Sequence, residues 1–303
     1  MVAVGLKILI TIAFGFFLYK IHILNENANS VMSKVIIYGS GPCMIFSSVM
    51  SLDQSNKTEI IGLIIGGLVL FIFLMIAVFI AAKLLRPGKD LEGIYQVLLM
   101  ITNGAFLGFP VSEALMGDVG VSYMSILNVY SNIFAFSYGV FLLTKGREQV
   151  KFKFTNLLNP GIVAAVLGVI LFFAGVSLPE ILMTPIEFIG DITSPLAMFT
   201  MGSMMATYSL KDLFNNWRYY ILALIKLIIL PLLVLLAAGA IWGDSSLTYT
   251  FMLHVAMPPA TIVSMLALTY NSDYKTTSSA TGLMNILCIA TIPFMWWLAN
   301  TLY

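Results

Sequence analysis

The feature that most constrains this chain is a series of apolar runs, each about as long as a membrane is thick, separated by short polar loops. Ten such runs can be drawn, at 2–19, 32–50, 60–83, 93–116, 120–143, 160–177, 183–206, 219–242, 247–270 and 277–302. About twenty apolar residues of helix cross a hydrocarbon core of ~30 Å, and helices alone satisfy their own backbone hydrogen bonds in lipid. Over the 303 residues, 60% are hydrophobic and 10% charged, whereas a soluble domain carries about a quarter charged residues. So few charges cannot cover a water-facing surface, so the lipid bilayer is the medium. The expected fold is an all-α membrane protein of ten transmembrane helices.

Charge and motif content remove several function classes. The formal net charge of +1 argues against nucleic acid as a partner. Cys43 and Cys288 sit in separate apolar runs and form no CxxC pair, so neither a disulfide framework nor a metal site is implied. No HExxH, P-loop or dinucleotide fingerprint occurs, and an enzyme and a cofactor are not expected. The first run lacks a basic n-region and a small-residue cleavage site, so it reads as a retained span.

Loop charges set an orientation. If the N-terminus lies outside, the cytoplasmic loops carry Lys20, Lys34, Lys83, Arg86, Lys89, Lys145, Arg147, Lys151, Lys153, Lys211, Arg218 and Lys275. The opposite loops carry Lys57 alone, and the positive-inside rule then places both termini on the outer side of the plasma (cell) membrane.

The ten segments divide into a first five-helix repeat over 1–144, a cytoplasmic linker at 145–159 and a second, inverted repeat over 160–303. Segment two reads Gly41-Pro42-Cys43-Met44-Ile45-Phe46-Ser47, and segment seven reads Ser194-Pro195-Leu196-Ala197-Met198-Phe199-Thr200. Segments four and nine carry prolines in mid-span, Pro110 and Pro258-Pro259. Pro195 follows Pro42 by 153 residues and Pro258 follows Pro110 by 148, so two landmarks give nearly one offset. Proline deletes a backbone donor and clashes with the preceding turn. Paired breaks in two inverted halves point to a transporter's substrate site, and the freed helix N-termini suit a carboxylate. Segments four and nine are therefore expected to cross near the midplane and hold an organic anion.

At these residues the chain resembles the auxin efflux carrier family, which includes plant auxin exporters and bacterial malate or malonate permeases. Asn103-Gly104-Ala105-Phe106-Leu107-Gly108-Phe109-Pro110 is similar to the family's N-x-G-F-L-G-x-P signature, and Met257-Pro258-Pro259-Ala260 to its M-P-x-A signature. Gly15 to Ser48, Asn159-Pro160 and Ser194 to Ala197 also fit. The resemblance implies two crossed, proline-broken helices, a scaffold and a carrier layer, elevator-type alternating access and a homodimer, in a fold related to bile-acid symporters. The chain departs from the family at Gly41, where Leu is common, and at Gly104, where Thr is common. Its short central linker favours a permease of the bacterial type.

The candidate substrate-binding residues are Asn103, Gly104, Gly108, Pro110, Gly41, Pro42, Met257, Pro258, Pro259 and Ala260. Each also has a purely structural reading: Gly104 and Gly108 form a GxxxG that can serve packing, and an Asn103 bond between helices would contribute about 0.6–2 kcal/mol. His254, Asp191 and Lys226 are the candidates for proton or ion coupling, since ionisable groups inside a membrane are functional by default. For His254 the alternative is a bond to a neighbouring carbonyl. For Lys226 it is a snorkelling stem, a substrate counter-charge or a pair with Asp191. Asp191 shares a helix face with Glu187, nearer the edge; Glu113 is placed near the outer mouth, and Asn132 and Asn285 in packing bonds.

The leading expectation is thus a secondary carrier of a small organic anion such as malate or malonate. A carrier of auxin-like lipophilic weak acids is the alternative, favoured by the scarcity of fixed positive charge at midplane. A cation/proton antiporter would need paired carboxylates beside the crossover, and segments four and nine offer only Glu113.

Overall fold

A computed structural model describes residues 2–144, 160–207, 213–214 and 216–303. The expected linker at 145–159 and Lys211 lie outside the described residues. Among the described residues the regular structure is helical, apart from one isolated antiparallel bridge between Thr102 and Pro259.

Helix α1 spans Val2–Lys20, α2 Glu26–Val35, α3 Gly41–Met50, α4 Lys57–Leu85, α5 Lys89–Met100, α6 Phe109–Phe134 and α7 Val140–Thr144. After the linker come α8 at Pro160–Phe173, α9 at Glu180–Gly190 and α10 at Thr193–Met205. The last five are α11 at Trp217–Leu224, α12 at Leu230–Trp242, α13 at Ser246–Ala256, α14 at Thr261–Thr269 and α15 at Tyr274–Leu302. Within α6, Gly117 (φ 63°, ψ −151°) interrupts the helix. Glycine alone tolerates that region, so the turn between segments four and five falls there.

Among the described residues four helical stretches are long and apolar enough to cross a membrane: Gln54–Leu85, Gly104–Thr144, Trp217–Trp242 and Tyr274–Leu302. Their outward faces are as apolar as their inward ones. Along α4, Ile61, Ile65, Leu68, Ile72, Ile76 and Ile80 are all exposed, a stripe that water would not tolerate at this length. The protein is membrane-embedded.

Among the described residues four five-residue turns have π-helical hydrogen bonding, Ile36–Ser40, Gly104–Gly108, Ala135–Gly139 and Ile225–Ile229. Three of them end two residues before a proline, at Pro42, Pro110 and Pro231. The cause is local. A proline ring crowds the carbonyl four residues back and offers it no N–H. One extra residue in the preceding turn moves that carbonyl away. Accordingly Gly41 N–H reaches back five residues to the Ile36 carbonyl, and Leu230 N–H reaches the Ile225 carbonyl.

The chain forms two compact units. The first comprises Met1–Ile64, Gly104–Val129 and Leu158–Thr207. In it α1 packs along α10, and α3 packs on α8 and α9. The α1–α10 contact is reciprocal: a Cβ on Gly15 would fall on the Phe199 carbonyl, and one on Gly202 would fall on the Ile12 carbonyl. Only glycine permits backbones that close. Polar bonds gather around α6: Glu113 accepts from the Ser194 hydroxyl, Asp118 from Ser48 at 3.4 Å, and Glu59 from Tyr123.

The second unit comprises Ile65–Asn103, Tyr130–Leu157 and Tyr208–Tyr303. Here α12 packs on α13, and α11 and α14 pack on α15. Phe71 is buried between rings, stacked on Phe134 at 5.1 Å and on Tyr130 at 5.9 Å, with His254 edge-on at 5.8 Å. Both units draw segments from residues 1–144 and from residues 160–303, so the compact bodies cut across the two halves of the sequence.

Candidate functional site

Two helices of the second unit, α5 and α13, end where the backbone unwinds, and the unwound stretches are bonded to each other. Helix α5 stops where Ile101 turns extended (φ −83°, ψ 125°), after its N–H has closed the last turn on the Val97 carbonyl at 3.0 Å. Helix α13 stops at Met257 (φ −64°, ψ 142°), and α14 resumes after Ala260 (φ −67°, ψ 143°). Met257 precedes a proline, whose ring disfavours helical geometry in its neighbour. Pro258 and Pro259 have no N–H to give, so these two residues can only accept. Asn103 supplies the donor: its N–H reaches the Pro258 carbonyl at 2.8 Å, beside the Thr102–Pro259 bridge. Backbone with unmet polar groups survives at membrane depth where protein or a cavity receives it.

Side chains beneath this junction form a polar track. The Thr102 hydroxyl lies 3.0 Å from that of Ser131 and 3.2 Å from His254 Nε2. Thr102 and Ser131 are buried, and His254 is 0% exposed. One turn before Pro258, α13 holds the ring in place against Phe71. The ring's link is thus to a hydroxyl at the break itself.

Lys226 also lies in this unit, within the π turn Ile225–Ile229. The snorkelling expected of it does not occur. The residue is 0% exposed, and its Nζ has no hydrogen-bond partner among the described residues. It lies within electrostatic range of His254.

The other residues singled out from sequence fall as follows. Asn103, Met257, Pro258 and Pro259 are buried at the junction, and Ala260 is partly exposed beside it. Gly104, Gly108 and Pro110 belong to the first unit, where they form the π turn and the start of α6. Gly41 and Pro42 also belong to the first unit, at the start of α3. Asp191 is exposed on the turn between α9 and α10, its N–H donating to the Glu187 carbonyl at 2.9 Å. Glu113 is engaged by Ser194.

Sequence reasoning passed over Thr102, Ser131 and Asn128. Thr102 adjoins the segment-four signature without belonging to it. The side chain of Asn128 fills the space next to Gly104, its Cγ 3.0 Å from where a Cβ would stand. A hydroxyl-bearing residue at 104 would compete with that amide for the same place.

The sequence profile of the membrane transport protein family, the auxin efflux carriers, matches residues 2–157 and 149–296. The chain belongs to this family. Among its relatives are uncharacterized transporters of two methanogenic archaea. One, of Methanocaldococcus jannaschii, is 23% identical over 304 residues, covering 97% of each chain. The other, of Methanothermobacter thermautotrophicus, is 23% identical over 295 residues, covering 95% of each. The uncharacterized transporter YfdV of Escherichia coli is 23% identical over 311 residues, covering 96% of this chain and 95% of its own. In this auxin efflux carrier family member the stretches 101–103 and 257–260 leave the helix and are bonded to each other.

Proposed function

We propose that the protein is a secondary-active carrier of small organic anions such as malate or malonate. The reading rests on one observation above the rest, the hydrogen-bonded junction of two unwound stretches, 101–103 and 257–260, in a membrane transport protein. Broken helices in membrane carriers present backbone groups to substrate and ion. The N-terminus of α14, opening after Ala260, contributes N–H groups and a positive dipole end that favour a carboxylate. Asn103 adds an amide for orientation.

The same reading takes the ten apolar runs as ten spans in two inverted repeats, with both termini outside the plasma membrane and the basic loops inside. It also takes the carrier to act by alternating access of the elevator type and to assemble as a homodimer. Two compact units that each combine segments of both halves are what a scaffold and a moving carrier layer require. His254 is assigned to coupling, because an imidazole bonded to Thr102 at the junction joins a titratable group to the substrate's position.

The test is uptake of labelled malate, malonate and indole acetate by purified protein in liposomes, with and without a pH gradient. Concentrative uptake of at least one acid, reduced about tenfold or more in Asn103→Ala, is the expected result. Sealed vesicles that accumulate none of the three would sink the proposal. With the substrate in hand, His254→Gln, which keeps a hydrogen-bonding amide, is expected to flatten the pH profile of uptake.

A further inference from the structure

The junction does not account for Lys226. Its turn packs against α11, α12, α13 and α15, and among the described residues it is the single lysine or arginine that is fully buried. An ammonium enclosed without an acceptor is among the costliest groups a protein can hold, and such charges persist in membranes where a function needs them. None of the four helices packed on the turn carries an aspartate or a glutamate. Their titratable and charged side chains are Arg218, Tyr219 and Tyr220 on α11, Tyr249 and His254 on α13, and Tyr274, Lys275 and Cys288 on α15. No acid on these helices can neutralise the lysine.

Two further observations place the lysine at a site. It is in electrostatic range of His254, which is itself bonded to Thr102 at the junction. Helix α15, packed on the π turn, carries three more buried polar atoms without partners among the described residues, Thr281 Oγ1, Asn285 Oδ1 and Thr291 Oγ1. Thr281 and Asn285 are four apart and share one helix face. The second unit thus holds an amine, a hydroxyl and an amide oxygen that have no hydrogen-bond partner among the described residues.

We propose that Lys226 receives one carboxylate of the transported anion and thereby makes the carrier selective for singly charged carboxylates over dianions. This rests on the transport reading above and narrows its substrate class to monoanions, so that malate and malonate would be carried in their singly protonated forms. One cation compensates one carboxylate. A second would enter a low-dielectric interior uncompensated, since His254, the other fully buried side chain there able to take a positive charge, is already engaged by Thr102. Thr281 and Asn285 suit an uncharged polar group on the remainder of the ligand, such as an ester, a hydroxyl or a protonated carboxyl.

The experiment compares uptake of malonate, monomethyl malonate and indole acetate by the full chain in liposomes, at a pH high enough to keep malonate a dianion. Wild type, Lys226→Met and Lys226→Gln are assayed, with elution profile and Tm as folding controls. Wild type is expected to favour the monoester over the dianion by about tenfold, and either variant to lose about tenfold or more of monoester uptake while eluting as wild type does. Preference of the wild type for the dianion would overturn the proposal, and that readout needs no variant. A folded Lys226→Met with unchanged uptake and an unchanged monoester-to-dianion ratio would also overturn it. If wild type takes up no acid at all, the transport reading fails and this inference falls with it. If acids are taken up without the stated preference, only the inference fails.

Discussion

The two compact units solve opposite problems. The first is held by backbone approaching backbone: Gly15 meets the Phe199 carbonyl, Gly202 the Ile12 carbonyl, and Gly190 lies against Met44. Such packing is close and specific, and it leaves little to move. The second unit buries what membranes ordinarily exclude. Thr102, Ser131, His254 and Lys226 lie within it, beside two stretches that have surrendered their helical hydrogen bonds. Without water, every such polar group is a liability unless something receives it. Stability and function are therefore expected to separate by unit. Changes in the first should alter folding and leave transport by folded protein alone, whereas changes in the second should alter transport first.

The largest effect is expected at the break in segment nine. Pro258→Ala with Pro259→Ala restores two N–H donors and removes the ring clash, each proline being about 3 kcal/mol less favourable than alanine inside a helix. Ser246 to Thr269 can then run on as one helix, and the acceptor for Asn103 N–H is lost. Initial uptake by liposomes should fall by about a thousandfold or more, with no loss of Tm. Pro110→Ala should be far milder, because segment four comes apart at 101–103, well before that proline. Equal losses in the two variants would refute the distinction between a break set by proline and one set by contacts.

Next in size is Gly202→Val in the first unit. The added side chain meets the Ile12 carbonyl and the Phe16 amide nitrogen rather than a side chain able to rotate, so α1 and α10 must separate. Overpacking costs about 1–3 kcal/mol, and a backbone obstacle puts this variant at the upper end. Tm of detergent-solubilised protein should fall by several degrees, while uptake per correctly folded molecule stays near wild type. A variant of normal Tm and lost transport would undo the division of labour between the units.

Thr102→Val should cost about 2 kcal/mol, since it strips a buried hydroxyl from both Ser131 and His254 and leaves two polar atoms without that partner. In contrast to Gly202→Val, it should also change uptake, through the position of the His254 ring. Retention of wild-type uptake with a lowered Tm would show the track to be structural only.

Much of this was legible beforehand, for physical reasons that also mark where legibility ends. Helix positions follow from apolar runs, and turns from residues such as Gly117 that only a broken backbone accommodates. The break at 257–260 is written in two adjacent prolines. The break at 101–103 is not, because no residue there forbids a helix; its partners lie on segments five and nine. Pro110 instead produces the π turn Gly104–Gly108, as Pro42 and Pro231 produce theirs. Lys226 was visible as a charge in a span, but a helix apolar all round does not reveal which face turns inward. The stem's capacity to snorkel therefore concealed an enclosed amine. Asp191 read as part of one continuous apolar run, and it falls on the turn between the separate helices α9 and α10.

The smallest predicted effect tests the segment-four signature where it enters the first unit. A Cβ at Gly104 would crowd the Asn128 amide, which is the far end of a rotatable side chain rather than backbone. Gly104→Ala should therefore cost under about 1 kcal/mol, in contrast to Gly202→Val, and mainly by displacing that amide. Asn128→Ala opens the space but gives up the amide's own bonds. The double variant should then be less unstable than the two single losses added together, by about 0.5 kcal/mol or more, as neighbours sharing one volume behave. Thermal unfolding of the four proteins measures the coupling. Strict additivity would mean that Asn128 does not fill the place left by the missing side chain at 104, and the signature's glycine would then need another explanation, such as the π turn's own geometry.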